Sequence, residues 1–249
     1  MRAASARRVA TVLVVVGLSV AWSAGRAQAQ TPPPECRPAK EWPARLRLEY
    51  AVTASRGPFS ISGQSVLLFQ RTGTAYSIDV NTDAVALYHA RQTSRGTIEA
   101  AGLRPDEYIE DRTNRATQTT RFDWNGGTVA FSVAADTPGQ VEPGLQDRAS
   151  LLLQLTYLSR LNPATPSFEI PVAGARRVST DKFTRRGAET LRMPIGNVES
   201  IRVEREGDAD QDRLEAWFAN GWCGLPVRIR YTDHKGGVID HRLRAASIE

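Results

Sequence analysis

The chain is poor in the residues that build reactive sites. Its 249 residues include two cysteines, three histidines and two methionines. His89, His234 and His241 have no cysteine at metal-ligand spacing, so they read as solvent-exposed strand-end residues rather than metal ligands. No Gly-x-Ser-x-Gly elbow, His-Glu-x-x-His helix or phosphate-binding glycine loop occurs. Cys36 and Cys223 are far apart in the chain, not a Cys-x-x-Cys pair, which argues against a redox-active dithiol. No apolar run reaches the ~20 residues that cross a bilayer, so no stable transmembrane anchor is expected. With no catalytic residue, metal or cofactor indicated, a non-enzymatic protein is expected.

The amino terminus is distinctive. Arg2, Arg7 and Arg8 precede an apolar run from Val9 to Val20, and Ala27-Gln28-Ala29 closes it with a small-x-small site. Positive start, short apolar stretch and small-residue exit define a secretory signal peptide. Residues 1–29 are expected to be removed by cleavage after Ala29. The formal net charge of +5 then changes meaning: without Arg2, Arg7, Arg8 and Arg26 the chain has 28 basic against 27 acidic residues. A near-neutral product has no electrostatic basis for binding nucleic acid. In an exported protein, Cys36 and Cys223 are expected to form a disulfide.

Gln30 to Pro43 holds five prolines and reads as an extended arm, unable to form a helix or a central strand. Period-two alternation follows. Leu46, Leu48, Tyr50 and Val52 alternate with Arg45, Arg47 and Glu49. Phe59–Gln70 reads as a second strand, with Gly63 marking a bend or bulge. Tyr76–Val80 and Val85–Ala90 follow. Residues 115–135 read as a hairpin around Asn125-Gly126, favoured chemistry for a tight primed turn. Strands recur at Val198–Arg205, Leu214–Phe218, Pro226–Tyr231 and, after Gly236-Gly237, Val238–Leu243. Leu145–Leu161 differs. It is leucine-rich, free of interior glycine and proline, and stops at Asn162-Pro163, which predicts a buried helix of about four turns. One apolar helix among many one-faced strands implies a mainly β fold. A large, highly curved antiparallel sheet, an open half-barrel, would wrap a plug helix near 145–161. No composition break divides residues 44–249, which read as a single β domain.

Several short motifs stand in a telling order. They are Gly102-Leu103-Arg104-Pro105 with Tyr108, Phe122-Asp123-Trp124, Gln146-Asp147, Met193-Pro194-Ile195-Gly196, Trp217 and Leu225-Pro226-Val227-Arg228-Ile229-Arg230. Over roughly residues 44–244 the chain resembles the family of exported proteobacterial proteins known as domain of unknown function 3108. That resemblance implies a Gram-negative periplasmic location. It also implies a fold-level likeness to periplasmic lipoprotein carriers, half-barrels plugged by helix. It implies no catalytic residues, and Cys223 is not part of the family pattern.

Two acidic stretches need weighing. Asp208, Asp210 and Asp212 alternate as in a calcium loop, but Arg213 and Ala219 stand where such a loop needs glycine and glutamate. An acidic hairpin tip in water explains them as well. Asp106, Glu107, Glu110 and Asp111 alternate with Arg104 and Arg112 and read as a solvated turn or short helix. Trp124 and Trp217 lie at inward positions and serve either as core or as ligand-facing aromatics.

Two functions follow as expectations. A curved sheet with an apolar concave face would hold a hydrophobic or lipid-like ligand, a lipid or lipidated protein. The alternative is a cell-envelope assembly or protein-interaction module without a small ligand, using sheet edges or the Pro-rich arm to meet an envelope protein. A large apolar cavity favours the first and a solid core the second.

Overall fold

A computed structural model describes residues 32–84, 88–134, 137–207 and 212–249. The leader with Ala29, and Asp208 and Asp210, lie outside the described residues. The first half of the sheet comprises β1 (Arg45–Arg56), β2 (Phe59–Thr72), β3 (Ala75–Ala84), β4 (Tyr88–Glu99), β5 (Gly102–Arg112), β6 (Gln118–Asp123), β7 (Thr128–Phe131) and β8 (Gly139–Gln140). After the helix α1 (Leu151–Leu161) come β9 (Ser167–Ala173), β10 (Val178–Met193), β11 (Gly196–Arg205), β12 (Arg213–Ala219), β13 (Leu225–Thr232) and β14 (Val238–Ile248). All fourteen form one antiparallel sheet, in the order β8 back to β1, then β14 back to β9. The β1–β14 pairing therefore joins the two halves of the chain.

The fold is the expected open half-barrel around one helix, and alternation explains its inner lining. In β1, Leu46, Leu48, Tyr50 and Val52 are buried while Arg45, Ala51 and Thr53 are exposed. Leu67 and Phe69 of β2, Tyr76 and Ile78 of β3 and Leu243 of β14 join the same core. A second cluster packs Leu151 and Leu155 of the helix on Phe168, Phe183, Val203 and Phe218. The helix is thus buried on most sides, as its composition implies.

Several local expectations need correction. The helix starts at Leu151, not Leu145, because residues 145–150 are otherwise engaged. The backbone N–H of Gln146 donates to Pro171 O at 2.9 Å, and Gln146 O accepts from Ala173 N at 2.8 Å. Around Asn125-Gly126 the loop spans residues 124–127 rather than two residues, and Asp123 Oδ1 accepts from Gly126 N at 2.8 Å. Gly63 lies in an unbroken register rather than a bulge. A β-carbon there would meet Asp83 O at 2.3 Å, so its absence permits close strand approach. The strand expected at 85–90 runs instead from Tyr88 to Glu99, and 85–87 lie outside the described residues. Residues 106–111 form part of β5 rather than a solvated turn. β9 and β10 come from a stretch where no strand was expected.

Candidate functional site

The Gln146-Asp147 pair sits where the curling sheet returns on itself. Nine strands separate β5 from β9 in the sheet order. Gln146 touches both: its backbone pairs with β9, and its Nε2 donates to Leu103 O in β5 at 2.7 Å. Gln154 of the helix grips the start of β5 too. Its Oε1 accepts from Leu103 N at 2.9 Å and its Nε2 donates to Ala101 O at 2.8 Å. Gly102 has φ +112°, and a β-carbon there would lie 2.2 Å from Gln154 Oε1. Only glycine fits both demands.

Asp147 is wholly buried beside this clasp. Its Oδ1 accepts the backbone N–H groups of Ala149 and Ser150, each at 2.8 Å, and its Oδ2 accepts from Ser94 Oγ at 2.5 Å. Ser94 in turn accepts from the Tyr76 hydroxyl at 3.0 Å. Burial pushes the Asp147 carboxyl up to about 6, against the pull of those hydrogen bonds. Among the described residues no cation pairs with it. A buried polar cluster of this kind, with the Tyr108 hydroxyl and Gln146 Oε1 unpartnered, is what an active site would need. Yet Ser94, Asp147 and Ser150 have no exposed surface, so no substrate reaches them as they stand. The cluster holds the turn at residues 147–150 that leads into the helix, next to the clasp.

Glu110 is also buried, at 3% exposure, contrary to the solvated reading of its segment. Burial would raise its carboxyl, but hydrogen bonds from Arg112 and Gln92 and the charges of Arg112 and Arg148 hold it below the usual range. His241 likewise departs from the solvent-exposed reading. It is half-buried edge-on to Tyr50, with ring centroids 6.1 Å apart, and desolvation pushes its imidazole down to about 4.

The two candidate aromatics are not brought together. Trp124 follows β6 near one end of the sheet order, and Trp217 is in β12 near the other. Trp124 lies under the Arg104 guanidinium at 5.6 Å and donates from Nε1 to Pro105 O at 2.7 Å. Trp217, 3% exposed, lies under Arg228 at 4.6 Å and donates to Glu189 Oε2 at 3.2 Å. Each has a covered face and a satisfied N–H, so neither is an open platform. Asp212 is also engaged: its carboxylate accepts from the Tyr231 hydroxyl and from His234 N at 2.9 Å. No cluster of metal-ligating side chains occurs among the described residues. No described helix is long and apolar enough to cross a membrane.

Open surface among the described residues is found at both ends of the half-barrel. At one end the Pro-rich arm crosses the half-barrel as a strap. Cys36 is disulfide-bonded to Cys223, with Cα atoms 5.1 Å apart, and Ala44 N donates to Glu249 O at 2.8 Å. Between these anchors Trp42 stacks on Tyr157 at 5.2 Å and packs on Phe69 at 5.5 Å. The apolar pocket beneath has a volume of about 50 Å³ and includes Leu46, Leu153 and Leu225 in its walls. At the other place, Phe59 and Ile61 of β2 and Ile239 of β14 are 78%, 46% and 37% exposed around a groove of about 320 Å³. Sequence reasoning missed both. A β-strand apolar at every second residue does not say which of its ends emerges from the core.

The architecture is that of a β half-barrel protein. Within that class the chain belongs to the family described as "Protein of unknown function (DUF3108)", whose model matches residues 49–242. Among solved structures, it is similar to a beta-barrel-like protein of domain of unknown function DUF1849 from Brucella abortus. The TM-score is 0.52 at 12% identity, covering 83% of this chain and 98% of the other. That likeness concerns the fold alone. A DUF1329 family protein from Desulfovibrio piger matches more loosely, with TM-score 0.31 and 8% identity over 84% of this chain and 87% of that one. No curated protein matches the chain.

Proposed function

We propose that the chain is an exported, non-enzymatic periplasmic protein that works as an envelope interaction module. Its packed half-barrel serves as a rigid scaffold. The observation that carries this reading is the contrast between the two ends of the inner face. The concave side is lined by buried apolar side chains, and the apolar pocket at its mouth is about 50 Å³, well short of the ~300–1,000 Å³ of ligand cavities, while the larger spaces of about 320 and 380 Å³ are open surface grooves. Phe59 and Ile61, by contrast, stand in solvent at the start of β2, beside the firmly built turn between β13 and β14. Arg56 pairs with Asp233, and Asp233 Oδ1 accepts from Lys235 N at 2.9 Å and Gly237 N at 2.7 Å. A preorganised apolar tip suits a protein partner.

The test is the double substitution Phe59→Ser with Ile61→Ser in the exported protein. Unchanged thermal stability with loss of its cross-linked protein partners supports the reading. Retention of the same partners overturns it.

A second reading has its own support. The strap covers an apolar pocket beside unpaired cations, which favours a small hydrophobic or lipid-like ligand at the mouth rather than inside the barrel.

A further inference from the structure

The strap and the β2–β3 turn enclose a surface cleft of about 380 Å³ next to the apolar pocket. Arg37, Lys40 and Arg71 line it, with Glu41 as the one carboxylate among its lining residues. Arg71 donates to backbone carbonyls, from Nη1 to Gly73 O at 3.2 Å and from Nε to Pro43 O at 3.5 Å. Arg160 lines the adjoining pocket and donates only to the carbonyl of Arg37, and burial lowers its pKa. Among the described residues, none of these four cations makes an ion pair, while eighteen ion pairs form elsewhere. Unpaired cations gathered beside apolar surface call for an anion.

The apolar half is equally specific. Trp42 forms part of both the cleft and the pocket, so one side chain separates a cationic surface from Leu46, Phe69, Leu153 and Leu225. Its Nε1 is buried with no hydrogen-bond partner. The strap is fixed at Cys36 and again at Ala44, so residues 37–43 are the stretch that would have to bow outward for a chain to enter the pocket.

We propose that this mouth binds an anionic amphiphile. Its acidic head group would lie on Arg37, Lys40 and Arg71, with its first carbons against Trp42 and its chain entering the pocket as the strap lifts. The proposal rests on the second reading above and supplies its ligand class. The interaction reading stands or falls separately.

The test is calorimetric titration of the disulfide-intact protein with lysophosphatidylglycerol, lysophosphatidylcholine of the same chain length, and inorganic phosphate. Saturable binding of the anionic lipid is expected, about tenfold tighter than the zwitterionic one. Lys40→Gln with Arg71→Gln is expected to remove that preference without changing thermal stability, while Arg213→Gln leaves it intact. Equal binding of both lipids would overturn the anionic inference and leave the ligand reading standing. No binding of either would overturn both. Phosphate bound as tightly as the anionic lipid would mark a plain anion site and overturn the amphiphile.

Discussion

Gln146 donates from Nε2 to Leu103 O across 2.7 Å while its backbone pairs with β9, so one residue ties together two strands that have nine others between them in the sheet order. The Gln146 side chain is fully buried, and its loss would strand the Leu103 carbonyl without this partner. Gln146→Ala is expected to destabilise the protein by about 2–4 kcal/mol, combining an unmet buried acceptor with a cavity. Urea denaturation measures it, and an effect under about 0.5 kcal/mol, the range of ordinary surface changes, would remove the clasp from the account.

Asp147 and His241 oppose each other in acid. The Asp147 carboxyl titrates near 6 when folded, above its ordinary 3.8, so protonation favours the fold and its contribution is lost as pH rises through about 6. The His241 imidazole titrates near 4 when folded, below 6.5, so its contribution is present above 6.5 and lost as pH falls through about 4. Each shift is worth about 3 kcal/mol. Asp147→Asn is expected to make stability fall more steeply between pH 6.5 and 4, and His241→Phe to make it fall less. Denaturation midpoints across that range decide it, and parallel profiles for both variants and the parent would contradict it.

Much of this architecture is legible in the sequence, and the failures share a cause. Leu46, Leu48, Tyr50 and Val52 declare their strand because one face meets apolar core and the other meets water. β10 declares little: within Thr180–Gly187 Phe183 is the one large apolar residue, too few to show alternation, and the register shifts between Arg185 and Ala188. Glu110 reads as solvated because two of the groups that make its burial tolerable, Gln92 and Arg148, lie far away in the chain, and its near neighbour Arg112 looks like an ordinary surface partner. The helix starts late because Asp147 takes up the N–H groups of Ala149 and Ser150, a competition that helix propensity does not reveal. The Cys36–Cys223 pairing needed only the compartment argument. The cationic mouth was invisible, since Arg37, Lys40, Arg71 and Arg160 meet only through the fold.

The disulfide should matter more for the strap than for the sheet. Closing a loop across 187 positions limits its chain-entropy contribution to about 5 kcal/mol. Joint replacement of Cys36 and Cys223 by serine is expected to lower stability by no more than that. It should also expose residues 32–43 to protease while the remainder stays resistant. Mass spectrometry after limited digestion reads the outcome, and an equally protected arm would show that the Trp42 contacts alone hold it.

Gly102 joins two constraints at one backbone position. Gly102→Ala is expected to destabilise by about 1–3 kcal/mol, because the residue keeps a positive φ and the Gln154 side chain fills the space a β-carbon needs. Gly57→Ala, at φ +55° in open surroundings, should cost less. Equal effects in thermal melts would dismiss the Gln154 contact as a constraint.

The central functional claim is that this protein acts through its exposed tip. A photoreactive amino acid placed at Phe59 in living cells tests it most directly, with the same probe at the exposed Arg213 as control. A discrete protein adduct from Phe59 and none from Arg213 is the expected result. Lipid adducts alone from Phe59, or the same adducts from both positions, would contradict it.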